Sequence, residues 1–224
     1  MKILLTNDDG IRSLRIQIAE KALLDMGHQV MVVAPLYEQS AKSMAMTTRG
    51  VEYMKMDETH YAVEGTPVDC VNFALEGLKE TPDLVVSGIN NGFNLGIDIY
   101  YSGTVGAAFQ AQYLGYPSIA FSADYKFEGD LEAVFAQTFK QIIADQIVSS
   151  HHVININFPP KITQNTYVET NPVSFKSRLD GFFEGTMFKY RRHIIDQELG
   201  DDTDYYNYLN GRITLSKLAL RLKD

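Results

Sequence analysis

Hydrophobic residues fall along this chain in short runs that alternate with longer, one-sided stripes. The runs at 3–6, 29–34, 84–87, 118–122 and 153–158 are rich in Val and Ile and bounded by Gly, Pro or Asp, which predicts strands. Several are apolar almost throughout, as parallel strands covered by helices on both faces are. Between them, Ile16, Ile18, Ala19, Ala22, Leu23 and Met26 make one stripe that stops at Gly27, predicting a helix over 16–26. Thr66-Pro67 reads as an N-cap with proline at the first helical position, opening a helix over 68–78. Further helices are expected at 104–114, small and apolar, and at 131–148, long and amphipathic. Segments 51–56 and 61–64 read as a small hairpin inserted after the second crossover. The expected fold class is α/β, a Rossmann-like, doubly wound and mainly parallel sheet.

Near residue 160 the rhythm changes. Residues 171–195 are aromatic and charged, with Gly181, Phe182, Phe183, Gly185, Phe188, Tyr190, Arg191 and Arg192, and fit a long hairpin or arm. Residues 196–204 are acidic, 205–209 are ambiguous, and 213–215 resemble one more strand. The division expected is a Rossmann-like core over 1–160 and a β-rich extension over 161–224, continuous with the core. The extension's exposed aromatics suit packing and subunit contact, hence a homodimer or homotetramer.

Composition narrows the function. A formal charge of −8 over 224 residues argues against a nucleic-acid backbone as partner and leaves small phosphorylated molecules open. No segment approaches the ~18 apolar residues of a membrane span. The first apolar stretch runs straight into acid and is no signal peptide. Cys70 is the single cysteine, which suits a reducing cytosol, so a cytoplasmic protein without membrane attachment is expected.

Three stretches carry chemistry. The first strand delivers Asn7-Asp8-Asp9-Gly10 to the carboxyl end of the sheet, where ligands of open α/β folds gather. Two carboxylates about 4 Å apart repel by roughly 4 kcal/mol at an effective dielectric near 20, which a divalent cation would relieve. A solvated turn in which Asp9 caps the helix is an equal alternative. The second stretch is Ser87-Gly88-Ile89-Asn90-Asn91-Gly92-Phe93-Asn94-Leu95-Gly96, followed by Tyr101-Ser102-Gly103-Thr104-Val105. A glycine-rich loop leading into a Ser-Gly-Thr helix start is the build of an anion site, although a hydroxyl-capped helix packed on the sheet would look alike. The third is the loop after the second strand with Ser40 and Ser43, whose hydroxyls are either ligands or merely solvated. His28, His60, His151, His152 and His193 show no spacing that suggests a relay.

Together these pieces resemble the stationary-phase survival protein SurE family. The likeness rests on Asn7-Asp8-Asp9-Gly10, Ala34-Pro35 with Ser40 five residues on, Gly65-Thr66-Pro67-Val68-Asp69-Cys70, the Ser87–Gly96 loop and Tyr101-Ser102-Gly103-Thr104. It runs through residues 1–125 and resumes weakly at Asn155-Ile156-Asn157 and near Thr203-Asp204. The resemblance implies a metal-dependent phosphomonoesterase that hydrolyses 5′- and 3′-nucleoside monophosphates. It implies metal ligands at Asp8, Asp9, Ser40 and Asn90, and phosphate contacts at Asn94, Ser102, Gly103 and Thr104. Oxygen ligands of this kind suit Mg²⁺ or Mn²⁺. Asp8 and Asp9 are the expected catalytic pair, with Asp9 orienting or deprotonating the attacking water.

The chain departs from the family pattern near the substrate. Arg15 stands where a glycine is usual, with Leu14 before it, and Met44 and Ala45 stand where His or Asn and Ser are usual. Arg15 could enter the cleft, pairing with an aspartate or a phosphate, or lie outside it. These departures keep open a degenerate metal- and nucleotide-binding module with little turnover. A haloacid-dehalogenase type phosphatase wants Asp-x-Asp after the first strand, which Asp8-Asp9-Gly10-Ile11 does not offer. A receiver-like module is usually near half this length.

Overall fold

The structure is a computed structural model and describes residues 1–173, 177–195 and 198–220. Residues 174–176 of the expected arm and 196–197 of the acidic stretch lie outside them. Strands β1 (Lys2–Thr6), β2 (Gln29–Pro35), β3 (Tyr53–Lys55), β4 (His60–Val63), β5 (Leu84–Asn91), β6 (Ser118–Ala123), β7 (Val153–Phe158), β8 (Gln164–Glu169) and β11 (Arg212–Leu218) form one nine-stranded sheet. Strands β9 (Ser177–Glu184) and β10 (Met187–Ile194) form a separate antiparallel hairpin. Helices are α1 (Leu14–Asp25), α2 (Pro67–Asn72, continued by a π turn over Phe73–Gly77), α3 (Asp98–Tyr101), α4 (Gly103–Tyr113), α5 (Leu131–Ala144) and α6 (Asp204–Leu209).

The sheet order is β3-β4-β2-β1-β5-β6-β7-β11-β8. Strands β4 through β7 are mutually parallel, whereas β3 on β4 and β11 on β7 are antiparallel. Alternation along β1 sorts its residues to two cores. Ile3 and Leu5 pack with Ile16, Ala19 and Leu23 of α1 and Phe135 and Phe139 of α5. Leu4 packs on the other face with Cys70 and Val71 of α2 and Ala107 and Ala111 of α4. The small residues of α4 let it lie close to the sheet. Because β1 is flanked by β2 on one side and β5 on the other, the chain reverses winding direction there. The crevice outside the carboxyl ends of β1 and β5 is where such folds bind ligands.

The expected doubly wound sheet is present, with four differences. The hairpin of β3 and β4 is not a free insert, because β4 pairs in parallel with the edge of β2 and buries Ala62 and Val63. Strand β8 went unread because its sequence, QNTYVE, is polar and largely exposed at the sheet edge. The ambiguous stretch 205–209 is helical in α6, burying Tyr205 and Tyr208. Helix α5 ends at Ala144 rather than 148. Strands β8 and β11, although in the C-terminal extension, complete the main sheet.

A bulge interrupts β5. Its register against β6 shifts between Ser87 and Asn90, and the Gly88–Ile89 peptide is cis. Gly88 has φ +135°, and a Cβ there would lie 2.3 Å from the Phe121 carbonyl oxygen. We expect Gly88→Ala to cost about 3 kcal/mol or more in urea unfolding, since backbone strain and overpacking each cost about 1–3 kcal/mol. A loss below about 1 kcal/mol would show that the bulge relaxes freely.

Candidate metal and phosphate site

Asn7 ties the turn that follows β1. Its Oδ1 accepts from Gly10 N at 3.2 Å, and its Nδ2 donates to Gly10 O at 3.0 Å and to Ser13 Oγ at 3.1 Å. Gly10 takes φ +94°, which a residue with a Cβ rarely adopts. Ser13 caps α1, accepting from Ile16 N. The reading of Asp9 as the helix cap therefore gives way: the cap lies four residues later, and both aspartates stay with the crevice.

Asp8 is only 3 % exposed. Its Oδ1 accepts from Thr104 Oγ1 at 2.5 Å and its Oδ2 from Thr104 N at 3.2 Å. A Cβ on Gly103 would come within 3.0 Å of Asp8 and 3.2 Å of Gln39 O, so glycine is what admits the first turn of α4 this close. Burial pushes the Asp8 carboxyl up to about 6, helped by the neighbouring Asp9 charge and opposed by the Thr104 hydroxyl. Asp9 is less buried, and its Oδ2 accepts from Asn91 N at 3.0 Å. Burial raises its pKa too, and Glu38 adds to this, while the Asn91 amide and Arg15 work against it.

The other expected ligands lie on the same rim. Gln39 N donates to Asp8 O at 2.7 Å, which anchors the loop carrying the exposed Ser40. Further along that loop, Ser43 N donates to Tyr101 O at 2.9 Å and Ser43 Oγ to Tyr100 O at 2.7 Å. Gly106 makes room for this, because a Cβ there would lie 2.3 Å from Ser43 O. Asn90 is the last residue but one of β5, next to the Asn91 amide that holds Asp9, and its Nδ2 donates to Gly92 O at 3.0 Å.

The residues expected to meet phosphate are placed unequally. Ser102 caps α4, accepting from Val105 N at 3.0 Å. Thr104 directs both its donors to Asp8. Asn94 is buried in a polar network, its Nδ2 donating to Ser122 Oγ at 2.8 Å and its N to Asn157 Oδ1 at 2.7 Å. Its carbonyl accepts from Asn155 Nδ2 and Asn157 Nδ2. Asp204 Oδ2 accepts from Gly96 N at 2.7 Å, so α6 also holds the glycine-rich loop. Asn155, Asn157 and Asp204 thus fix the loop; the family resemblance resumes weakly at these positions but gave them no role.

Arg15 enters the crevice rim. Its guanidinium, half-buried, donates to the carbonyls of Asn90, Ala123 and Asp124. Met44 lines an apolar recess of about 410 Å³ beside Ile99 and Phe109, and the Ala45 carbonyl accepts from Thr66 Oγ1.

The donor set fits a hard divalent cation. Two carboxylates, a hydroxyl and an amide offer oxygen alone, and the elevated Asp8 pKa marks negative charge short of compensation. Among the described residues no group of three His, Cys, Asp or Glu gathers to hold a metal.

Comparison with known proteins shows the family and the fold. The family model described as Survival protein SurE matches residues 3–178. The 5′-nucleotidase SurE of Solidesulfovibrio magneticus is 37 % identical over a 242-residue alignment covering 100 % of this chain and 93 % of that protein. The 5′-nucleotidase SurE of Leptospira biflexa is 34 % identical, covering 100 % and 96 %. The crystal structure of the SurE protein from Aquifex aeolicus superposes with a TM-score of 0.82 at 32 % identity, covering 100 % of this chain and 95 % of that one.

Asp8 yields a pH prediction for the cation-free protein. The folded state holds the Asp8 proton more tightly than the unfolded chain, so stability falls as pH rises from 3.8 to about 6 and is level above. That shift corresponds to about 3 kcal/mol. Asp8→Asn removes the penalty but loses the hydrogen bond from the Thr104 amide, worth about 1 kcal/mol. We expect the variant to be more stable than the parent by about 1–2 kcal/mol at pH 8, with the gap closing below pH 3.8. Urea unfolding in chelator across that range tests it, and a variant less stable at pH 8 would contradict it.

Proposed function

This chain belongs to the SurE family, and from that membership we propose that it is a 5′-nucleotidase that hydrolyses nucleoside monophosphates with a divalent cation, Mg²⁺ or Mn²⁺. The observation that carries the reading is that the buried Asp8 meets the first turn of α4 while the adjacent Asp9 meets the end of β5, so both carboxylates sit at one rim of the sheet. Asp8, Asp9, Ser40 and Asn90 would hold the cation through oxygen. When bound, the cation polarises the phosphoryl oxygens and makes water at the site more acidic.

The protein's own residues do the rest. Asp9, the less buried carboxylate, orients the attacking water and takes its proton. The water oxygen bonds to phosphorus as the ester oxygen departs and takes a proton from solvent, to which Asp9 returns the one it accepted, leaving nucleoside and inorganic phosphate. Ser102 and Gly103 receive the phosphate at the N-terminus of α4, where backbone N–H groups favour an anion and stabilise charge as it develops. Thr104 and Asn94 brace the phosphate site through the hydrogen bonds they already make. Thr104 donates twice to Asp8, so its part is to hold the helix end and the carboxylate at a fixed separation. Asn94 is braced by Ser122, Asn155 and Asn157, which makes it a rigid member of the site.

We further propose a homodimer or homotetramer built on the β9–β10 hairpin. Phe183 is 79 % exposed and Phe188 61 % exposed, an apolar surface that a second copy would cover. Cys70 is a buried free thiol, which supports a cytoplasmic setting. No helix among the described residues is long and apolar enough to cross a membrane.

Phosphate release from a panel of nucleoside monophosphates, with Mn²⁺ and with chelator, tests the activity. Turnover should require the metal and fall at least about 100-fold in Asp9→Asn. A module that binds cation and nucleotide without turnover would release no phosphate in either condition. Light scattering tests the assembly: the parent should give a dimer or larger mass, and Phe183→Ser with Phe188→Ser should shift it to monomer. A monomeric parent at micromolar concentration would refute the contact.

A further inference from the structure

Arg15 lies in the first turn of α1, yet its side chain ends among the carboxyl ends of β5 and β6. Nη1 donates to Asn90 O at 2.7 Å and Ala123 O at 2.6 Å, and Nη2 donates to Asp124 O at 2.8 Å. The pairing of β5 with β6 shifts register between Ser87 and Asn90 and resumes with Asn90 opposite Ser122 and Asn91 opposite Ala123, so Asn90 stands at the start of a short stretch of ladder cut off from the rest of the strand. The guanidinium reinforces that stretch by tying Asn90 O to the end of β6. Asn90 then turns its Nδ2 to Gly92 O, and Asn91 N holds the Asp9 carboxylate. One side chain thus braces a two-residue segment that touches two of the proposed cation ligands.

We propose that Arg15 is the positioning residue of the cation site: by clamping the carbonyls of Asn90, Ala123 and Asp124, it fixes the Asn90 amide and the Asp9 carboxylate in the cation-binding arrangement. The proposal rests on the cation site described above. With three carbonyl contacts made, the guanidinium is committed to backbone rather than to a bidentate grip on substrate phosphate. Its planar fork matches three carbonyls at once, which the single ammonium of lysine does not reproduce. The positive charge near Asp9 would by itself weaken cation binding. The clamp acts in the opposite sense and through direct contacts, so its loss should dominate.

The test uses the full chain and measures Mn²⁺ affinity by electron paramagnetic resonance of free Mn²⁺, beside the melting temperature in chelator. Arg15→Lys keeps the charge and loses the fork. It should bind Mn²⁺ at least about tenfold more weakly, the usual scale for groups that orient metal ligands. The Mn²⁺ needed for half-maximal phosphate release should rise in step, while kcat at saturating Mn²⁺ changes far less. In an Asn90→Ala background the same change should cost less than it does alone, because the two act as a unit. In the parent protein, adding Mg²⁺ should shift the Arg15 guanidinium resonances in NMR, a measurement that depends on no variant folding. A folded Arg15→Lys protein with unchanged Mn²⁺ affinity, even if it melts earlier, would overturn the proposal, since Arg15 would then only brace the sheet. Tighter Mn²⁺ binding in Arg15→Met would overturn it as well, showing that charge outweighs the clamp. If the parent itself binds no Mn²⁺, the cation site falls first and this role with it.

Discussion

The crevice is organised by one costly contact, the Asp8 carboxylate buried at the end of β1 beneath the first turn of α4. A carboxylate taken out of water is destabilising unless donors and opposite charge surround it. Thr104 supplies two donors, and the raised pKa of Asp8 shows that they do not suffice. Stability is given up locally to hold a charge there, which is the observation behind the proposed cation site. Much of the surrounding sequence follows from that requirement. Gly103 removes the Cβ that would strike Asp8, and Gly106 removes the one that would strike the Ser43 loop. Between them they let three backbone segments meet around a single carboxylate.

A second layer of polar contacts keeps the partners of Asp8 in place. The bulge at Gly88 shifts the β5–β6 register, and pairing resumes with Asn90 opposite Ser122 and Asn91 opposite Ala123. Side-chain hydrogen bonding reinforces that short stretch and the loop beyond it. Arg15 holds the strand ends, Asn155 and Asn157 hold the backbone of Asn94, and Asp204 accepts from Gly96 N. Buried networks of this kind are valuable only when their members find partners. Here the partners come from α1, β7 and α6, elements far apart in the chain.

The C-terminal extension therefore has two distinct parts. Strands β8 and β11 and helix α6 are built into the main sheet and its loop, with Tyr205 and Tyr208 packed against Leu95. The β9–β10 hairpin forms its own sheet and leaves large aromatic side chains exposed. The proposed subunit contact and the bracing of the site therefore belong to different elements of one segment.

Much of the α/β core was legible from local pattern alone. Apolar runs with β-branched residues marked the parallel strands, and the stripe from Ile16 to Met26 marked α1, because burial on a sheet face demands those periodicities. The clustering of Asp8, Asp9, Asn90 and the Ser102–Thr104 turn followed as well, since strand ends in this fold share one rim. Polar edge strand β8, the docking of β4 beside β2, and the helix at 204–209 were not legible. Their side chains match the partners they meet rather than any repeat of their own. Arg15 shows the limit most plainly. Its sequence position allowed a cleft-facing or an outward cation, and only the neighbouring strand ends, 75 and more residues away, decided that it binds carbonyls. The sequence by itself determined which residues could be strand, helix or ligand, because those choices depend on near neighbours. The tertiary structure alone decided which donor satisfies which acceptor, because buried polar atoms are paired across the fold and not along the chain.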